Sequence, residues 1–205
     1  MSEPQIVRLA TVASTQEAAR ELPIGSVVVA DYQSAGRGRL DRKWVAPPGT
    51  ALLVSFVVTP HPLLSLTCGV AAAEACGPSI RLKWPNDLMV EGSKLGGILV
   101  EVRLKKAIVG IGINLTAAPP GAAWLGGSRD ALLDRLIAEI RRWEAAGPDE
   151  VLGRWRQLSD TLGRRVRVEL PSGTVEGVAE DIDSSGALLV DGTPISVGDV
   201  IHLRA

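Results

Sequence analysis

The sequence predicts mixed α and β structure in two parts, a larger domain over residues 1–160 and a small β-barrel over 161–205. Three features point there. Apolar runs of strand type, such as SVVVADY (26–32) and TALLVSFVV (50–58), alternate with segments of helical pattern as far as about residue 160. Beyond Leu162 the texture changes to RRVRVEL, TVEGVAEDID, ALLVDG and TPISVGDVIHLRA, short alternating strands broken by Ser-Gly, Asp-Gly and Gly-Asp turns. The 205 residues are 46% hydrophobic and 22% charged, a globular composition with length for one ordinary domain and a small appendage.

Taken in order, residues 6–12 read as a short strand. Ser14 and Glu17 have capping-box spacing, and Ala18, Ala19 and Leu22 continue a helix over 14–22. Strand 26–32 feeds directly into the loop GRGRLDRKW (36–44), and strand 50–58 follows. LLSLTCGVAAAEACG (63–77) is helical and ends at Gly-Pro; SIRLKW (79–84) is a strand stopped by Pro85. KLGGILVEVRL (94–104) and KAIVGIGINL (106–115) are consecutive strands joined by a tight turn near Lys105. After a loop over 117–127 comes an amphipathic helix, 128–147, with a glycine stop, and then a second helix over roughly 149–160.

The 22 Lys and Arg stand against 23 Asp and Glu, a formal net charge of -1. No global field draws nucleic acid or an anionic membrane, so any anion site is local. Cys68 and Cys76 lack CxxC spacing and read as reduced, buried residues of a cytoplasmic protein. The N-terminus has no signal pattern, and the longest apolar run, ALLVSFVV (51–58), is far short of a membrane span.

Four short stretches carry chemistry. In GRGRLDRKW the glycines admit backbone N–H groups to a phosphate and the arginines neutralise it; a solvated basic loop has the same composition. In KWPNDL (83–88), Asn86 and Asp87 project beyond a strand end, as site residues do and as an Asx turn does. KLGGILVE (94–101) opens on Lys94 and sets Gly96 and Gly97 inside a strand, for a ligand lying flat on the sheet or for a β-bulge. GIGINL (110–115) clears one sheet face at Gly110 and Gly112 and ends on Asn114, whose amide matches an adenine edge or a plain turn.

Together, and in this order, these stretches resemble the biotin–protein ligases. That family's pattern is a Ser-Thr pair, GRGRRGRxW, KWPND, KxxGIL(V)E and GIGxN; here stand Ser14-Thr15, GRGRLDRKW, KWPND, KLGGILVE and GIGIN, and the segment after Leu162 resembles the family's C-terminal domain. The resemblance implies an α+β fold, a mixed and largely antiparallel sheet with flanking helices related to class II aminoacyl-tRNA synthetases, plus an SH3-like barrel. It implies that Ser14, Thr15 and Gln33 hydrogen-bond the ureido ring of biotin. Gly36, Arg37, Gly38 and Arg39 would fold over the biotin carboxylate and the ATP phosphates, with Trp44 seating the loop. Lys94 would stabilise charge as the carboxylate attacks the α-phosphorus, catalysis shared with Arg37, Arg39 and Asp87. Asn86 and Asp87 would border the nucleotide and the reacting lysine, Gly97 would line the ligand, and Asn114 would read adenine. The implied cofactors are ATP, biotin and Mg2+, with no metal held by protein ligands. The implied partner is the lysine of a biotin carboxyl carrier protein domain, reached through biotinyl-5′-AMP. A homodimer is compatible with the sequence.

The sequence departs from the pattern at Leu40 and Asp41, which replace an Arg and a Gly, and at Gln16, where an Asn is expected. The loop's glycines and like charges suggest a segment that orders over its ligand. The thirteen residues before Ser14 are too few for a three-helix DNA-binding domain, so the expectation is a ligase-only form without DNA. A lipoate–protein ligase would carry an Arg-Arg, Gly-Gly-Gly and His-Asp signature, and neither His61 nor His202 has such neighbours. A non-catalytic nucleic-acid module fits poorly with the -1 charge and the scarcity of aromatic residues.

Overall fold

A computed structural model describes residues 4–40 and 42–203. Among the described residues seven strands form one sheet, in the order β1-β2-β3-β7-β6-β5-β4. They are β1 (Gln5–Val12), β2 (Ser26–Gln33), β3 (Ala51–Val58), β4 (Arg81–Lys83), β5 (Asp87–Val90), β6 (Ser93–Arg103) and β7 (Lys106–Asn114). Only β1 and β2 run parallel, so the sheet is mixed and largely antiparallel. Along β3 the side chains alternate as strand geometry requires. Leu52, Val54, Phe56 and Val58 join the main core, whereas Leu53 and Val57 belong to separate small clusters with Trp44 and with Ala19.

The main core is covered by α2 (Leu64–Cys76), α3 (Arg129–Glu144) and α4 (Pro148–Leu158). Helix α2 is buried almost all round, because sheet, α3 and α4 each take a face of it. Its Ala, Gly and Cys residues permit that close approach. Cys68 and Cys76 are free thiols, and burial pushes the Cys76 thiol up to about 12. Ser128 caps α3 through its hydroxyl, which accepts from the Ala131 N–H. Glu74 ties the three helices together, accepting from Arg142 Nη1 (2.9 Å), Trp143 Nε1 (3.3 Å) and Arg154 Nε (2.6 Å). Glu74→Ala strips all three donors at once. It is expected to cost about 2 kcal/mol, since both guanidiniums are partly solvated; an unchanged melting temperature would show the network to be inert.

The second sheet has the order β11-β10-β9-β8-β12, made of β8 (Arg165–Leu170), β9 (Gly173–Ile182), β10 (Leu188–Val190), β11 (Thr193–Ile195) and β12 (Asp199–His202). It docks on the larger domain through the turn after β4 and through α2. Trp84 donates from its backbone N to Thr161 Oγ1 (3.0 Å) and from Nε1 to the Gly186 carbonyl (3.1 Å). A Cβ at Gly186 would come within 2.9 Å of Leu66 on α2, at a φ of +85°, so glycine is what lets this barrel turn dock.

Two local expectations fail. The helix expected over 14–22 is a single turn, α1 (Thr15–Ala18), and Ser14 makes no side-chain cap. Ser14, Thr15 and Gln16 are buried instead, which removes the hydroxyl from capping duty. Asp87 does not trail beyond a strand end but opens β5, an element unmarked in sequence because its four residues are too short to show a period.

Candidate active site

A cavity of about 340 Å³ lies over the glycine-bearing part of the larger sheet and is closed on one side by β8 and β12. Its floor follows from register. Lys83 pairs with Asp87, Asp87 with Gly97, Gly97 with Gly112, and Gly112 with Leu53. Residues directly opposite one another share a sheet face. The floor is therefore apolar at Leu53, without side chains of its own at the two glycines, and charged at Asp87 and Lys83.

One corner is polar and fully ordered by the protein itself. Gln33 Oε1 accepts from Thr15 N (2.7 Å) and from Thr15 Oγ1 (2.9 Å), while Ser55 Oγ donates to Thr15 Oγ1 (2.8 Å). The Gln33 amide NH2 makes no hydrogen bond among the described residues. Gln16 departs from the Asn of the family pattern, and its longer side chain is put to use. Its Nε2 donates to the carbonyls of Leu99 (2.9 Å) and Ile108 (3.3 Å), lying against Gly110, where a Cβ would be 3.0 Å from it.

The glycines expected to clear space do so for different neighbours. A Cβ on Gly112 would sit 2.6 Å from the Trp44 indole, so that ring lies flat on the sheet; its Nε1 is buried with no partner. A Cβ on Gly96 would be 2.5 Å from the Gly112 carbonyl, a backbone approach beside the bulge at Leu88/Met89. Gly97 faces the cavity, with Lys94 Nζ at 3.5 Å from its virtual Cβ. Flat-lying ligand and β-bulge were alternatives in sequence; Gly97 suits the first and Gly96 the second.

At the charged end Lys94 Nζ donates to Asp87 Oδ1 at 2.5 Å. Asn86 is held by two bonds, its Nδ2 donating to the Ile98 carbonyl (2.8 Å) and its Oδ1 accepting from Arg39 Nη1 (3.1 Å). The loop's arginines are not the unpaired like charges its composition suggested. Arg37 pairs with Glu101 (3.1 Å), Arg39 with Asp199 (3.5 Å), and Arg42 also with Asp199. Arg39 Nη2 additionally donates to the Gly198 carbonyl (3.2 Å). Burial lowers the Arg39 pKa from its ordinary value, and Asp199 and Asp87 oppose that shift. Within the loop Gly38 N donates to the Arg42 carbonyl (2.6 Å) and Trp44 N to the Gly36 carbonyl (3.0 Å). Leu40 takes a left-handed φ of 52°, a conformation glycine adopts without strain. Asp41 lies outside the described residues.

The cavity brings together Ser14, Thr15, Gln33, Arg37, Gly38, Arg39, Trp44, Asn86, Asp87, Lys94 and Gly97. Two expected residues stand back from its lining. Gly36 lies behind Trp44, where a Cβ would meet the Trp44 carbonyl at 2.5 Å. Asn114 is buried at the end of β7, its Nδ2 donating to the Ala123 carbonyl (3.0 Å) and its own carbonyl accepting from Leu125 N (3.0 Å). Sequence reasoning missed Lys43, Lys83 and the barrel's Glu169 and Asp199, which also line the cavity. Asp199 sat in a Gly-Asp pair read only as a turn; nothing local marks a carboxylate that reaches another sheet's loop.

Residues 5–117 match the model of the biotin/lipoate A/B protein ligase family, and residues 161–203 match that of the biotin protein ligase C terminal domain. The chain belongs to the biotin/lipoate A/B protein ligase family. Within it, the chain is 37% identical to the biotin--[acetyl-CoA-carboxylase] ligase of Mycobacterium tuberculosis, across 88% of this chain and 80% of that protein. It is 32% identical to the ligase of the same name from Paracoccus denitrificans, across 80% of this chain and 83% of that protein. Among solved structures, the biotin protein ligase from Aquifex aeolicus in complex with biotin and ATP superposes with a TM-score of 0.86 at 29% identity, covering 98% of this chain and 99% of that one.

Proposed function

We infer that this protein is an ATP-dependent biotin–[acetyl-CoA-carboxylase] ligase. It joins biotin and ATP into biotinyl-5′-AMP with release of pyrophosphate, then passes the biotinyl group to a lysine of a carboxylase's carrier protein. The observation that carries this is one cavity with a polar corner at Thr15 and Gln33 and a charged end at Lys94 and Asp87, joined by a glycine floor. An amide and hydroxyl corner suits the compact ureido ring, the open floor at Gly97 suits a flat ligand, and the charged end suits a carboxylate meeting a phosphate. The orphaned Trp44 N–H and the free Gln33 amide are donors that a ligand rich in acceptors satisfies.

The residues then divide the work. Ser14, Thr15 and Gln33 orient the ring. Arg37, Gly38 and Arg39, backed by Gly36 and Trp44, hold the reacting carboxylate and phosphates. Lys94 takes up charge at the α-phosphorus, and Asp87 holds its ammonium in place. Asn86 positions Arg39. Asn114 reads adenine when its amide exchanges the Ala123 carbonyl for the base. Catalysis of this kind is positioning, charge neutralisation and exclusion of water. Mg2+ would shield the triphosphate; among the described residues no three His, Cys, Asp or Glu side chains form a metal site, so it would travel on the nucleotide. We place the domain boundary at 160/161 and the enzyme in the cytoplasm, a reading consistent with two buried free thiols and with the absence, among the described residues, of a helix long and apolar enough to cross a membrane. No DNA contact and no particular oligomer is needed for this chemistry.

The expected result is Mg2+-dependent exchange of labelled pyrophosphate into ATP that requires biotin. Exchange with lipoate or octanoate but not with biotin would overturn the assignment.

A further inference from the structure

The cavity's cations fall into two sets. Lys94, Arg37, Arg39 and Arg42 are each committed to a carboxylate of the protein. Lys83 and Lys43 also line the cavity, yet neither side chain has a hydrogen bond or ion pair among the described residues. A polyanion entering this site shares the first set with protein carboxylates, but meets the second set uncommitted.

The two free lysines are not equivalent. Lys43 is exposed and belongs to the loop. Lys83 is part of β4, and its register partner Asp87 is the residue that holds Lys94. Adjacent strands lie about 4.8 Å apart, so Lys83 is the next charge outward from the Lys94–Asp87 pair, toward the sheet edge. The other groups near it leave its charge uncancelled. Asp160 is engaged by Arg164, and His202, close enough for Lys83 to help lower its pKa after burial has done so, adds no negative charge.

We propose that Lys83 is a catalytic residue that binds the β- and γ-phosphates of ATP and receives the pyrophosphate leaving group. The proposal rests on the ligase reading above. A carboxylate oxygen of biotin forms a bond to the α-phosphorus. The bond from that phosphorus to the α,β-bridging oxygen breaks, and its electron pair stays on the oxygen, so pyrophosphate departs with the added negative charge. Lys94 sits at the bond being made. Lys83, one step further along the floor, stands where that charge accumulates.

The test begins with the parent enzyme, whose biotin-dependent exchange must be seen first; its absence would sink the ligase reading and not this one. Lys83→Met and Lys83→Gln remove the charge, and Lys83→Arg keeps it. For the two neutral variants the KM for ATP and the inhibition constant of pyrophosphate are expected to rise about tenfold or more, the loss of one charge-assisted contact. Biotin affinity measured without nucleotide should stay within about twofold, as should transfer from preformed biotinyl-5′-AMP, which carries no β- or γ-phosphate. Lys83→Arg should recover most of the loss. Unchanged pyrophosphate inhibition in the neutral variants would overturn the assignment. So would an equal fall in biotin binding and adenylate transfer, which would mark Lys83 as a structural support of the Trp84–Pro85 turn.

Discussion

Lys94→Ala is expected to slow adenylate formation by a hundredfold or so, about 3 kcal/mol of lost transition-state stabilisation, while biotin affinity falls far less. The ammonium is pinned 2.5 Å from Asp87 Oδ1, so in the proposed reaction it would be in position before phosphorus is attacked and would need no reorganisation. Its removal has a second effect: the Asp87 carboxylate is left without a partner, facing a site that must accept phosphates. The Lys94→Ala, Asp87→Ala double variant should therefore recover part of the loss. Single-turnover rates set against equilibrium biotin binding separate the possibilities. Equal losses in rate and affinity would make Lys94 a uniform binding residue.

Arg39→Gly should leave adenylate formation in place and speed adenylate escape by about tenfold or more, as one buried charged donor is lost. Arg39 bonds to Asn86 on one side and to Gly198 and Asp199 on the other, so it stitches the loop to both sheets across the cavity mouth. Arg37 keeps Glu101 and Lys94 keeps Asp87 in the variant, so the charges at the reacting centre survive. Glycine also adds backbone freedom to the loop. Free biotinyl-5′-AMP acylates exposed lysines, so a bystander protein with no carrier domain, mixed with variant, biotin and ATP, should become biotinylated above the parent level. Normal adenylate formation with no faster release would show that the loop is not the gate.

The larger elements could be read from sequence because each is a long apolar run or a long periodic one. The unbroken apolar run of β3 and the helical repeat of α3 both stand where pattern placed them. β5 is not legible because four residues carry no period, and α1 is shorter than its capping-box spacing suggests because Ser14 and Thr15 are buried. The site's stretches stand out in sequence, since glycine inside a strand and arginine inside a loop are locally anomalous. What paired with those arginines was not visible. Glu101 and Asp199 are 64 and 160 positions from Arg37 and Arg39, and charge complementarity over such separations exists only once the chain has folded. Ser55, which orients Thr15, reads in sequence as one polar residue in an apolar strand.

The contact between Asp199 and the two arginines has a consequence in time. A ribosome delivers the chain from its N-terminus, and domains fold as units while it does so. The larger sheet, its floor, the loop and Lys94 are all complete some eighty residues before Asp199 emerges. Until then Arg39 and Arg42 lack their carboxylate, and the cavity lacks the wall that β12 supplies. The side chain that fastens the loop is thus among the last to be synthesised, and a nascent or prematurely ended chain has the cavity floor and Lys94 without that fastening.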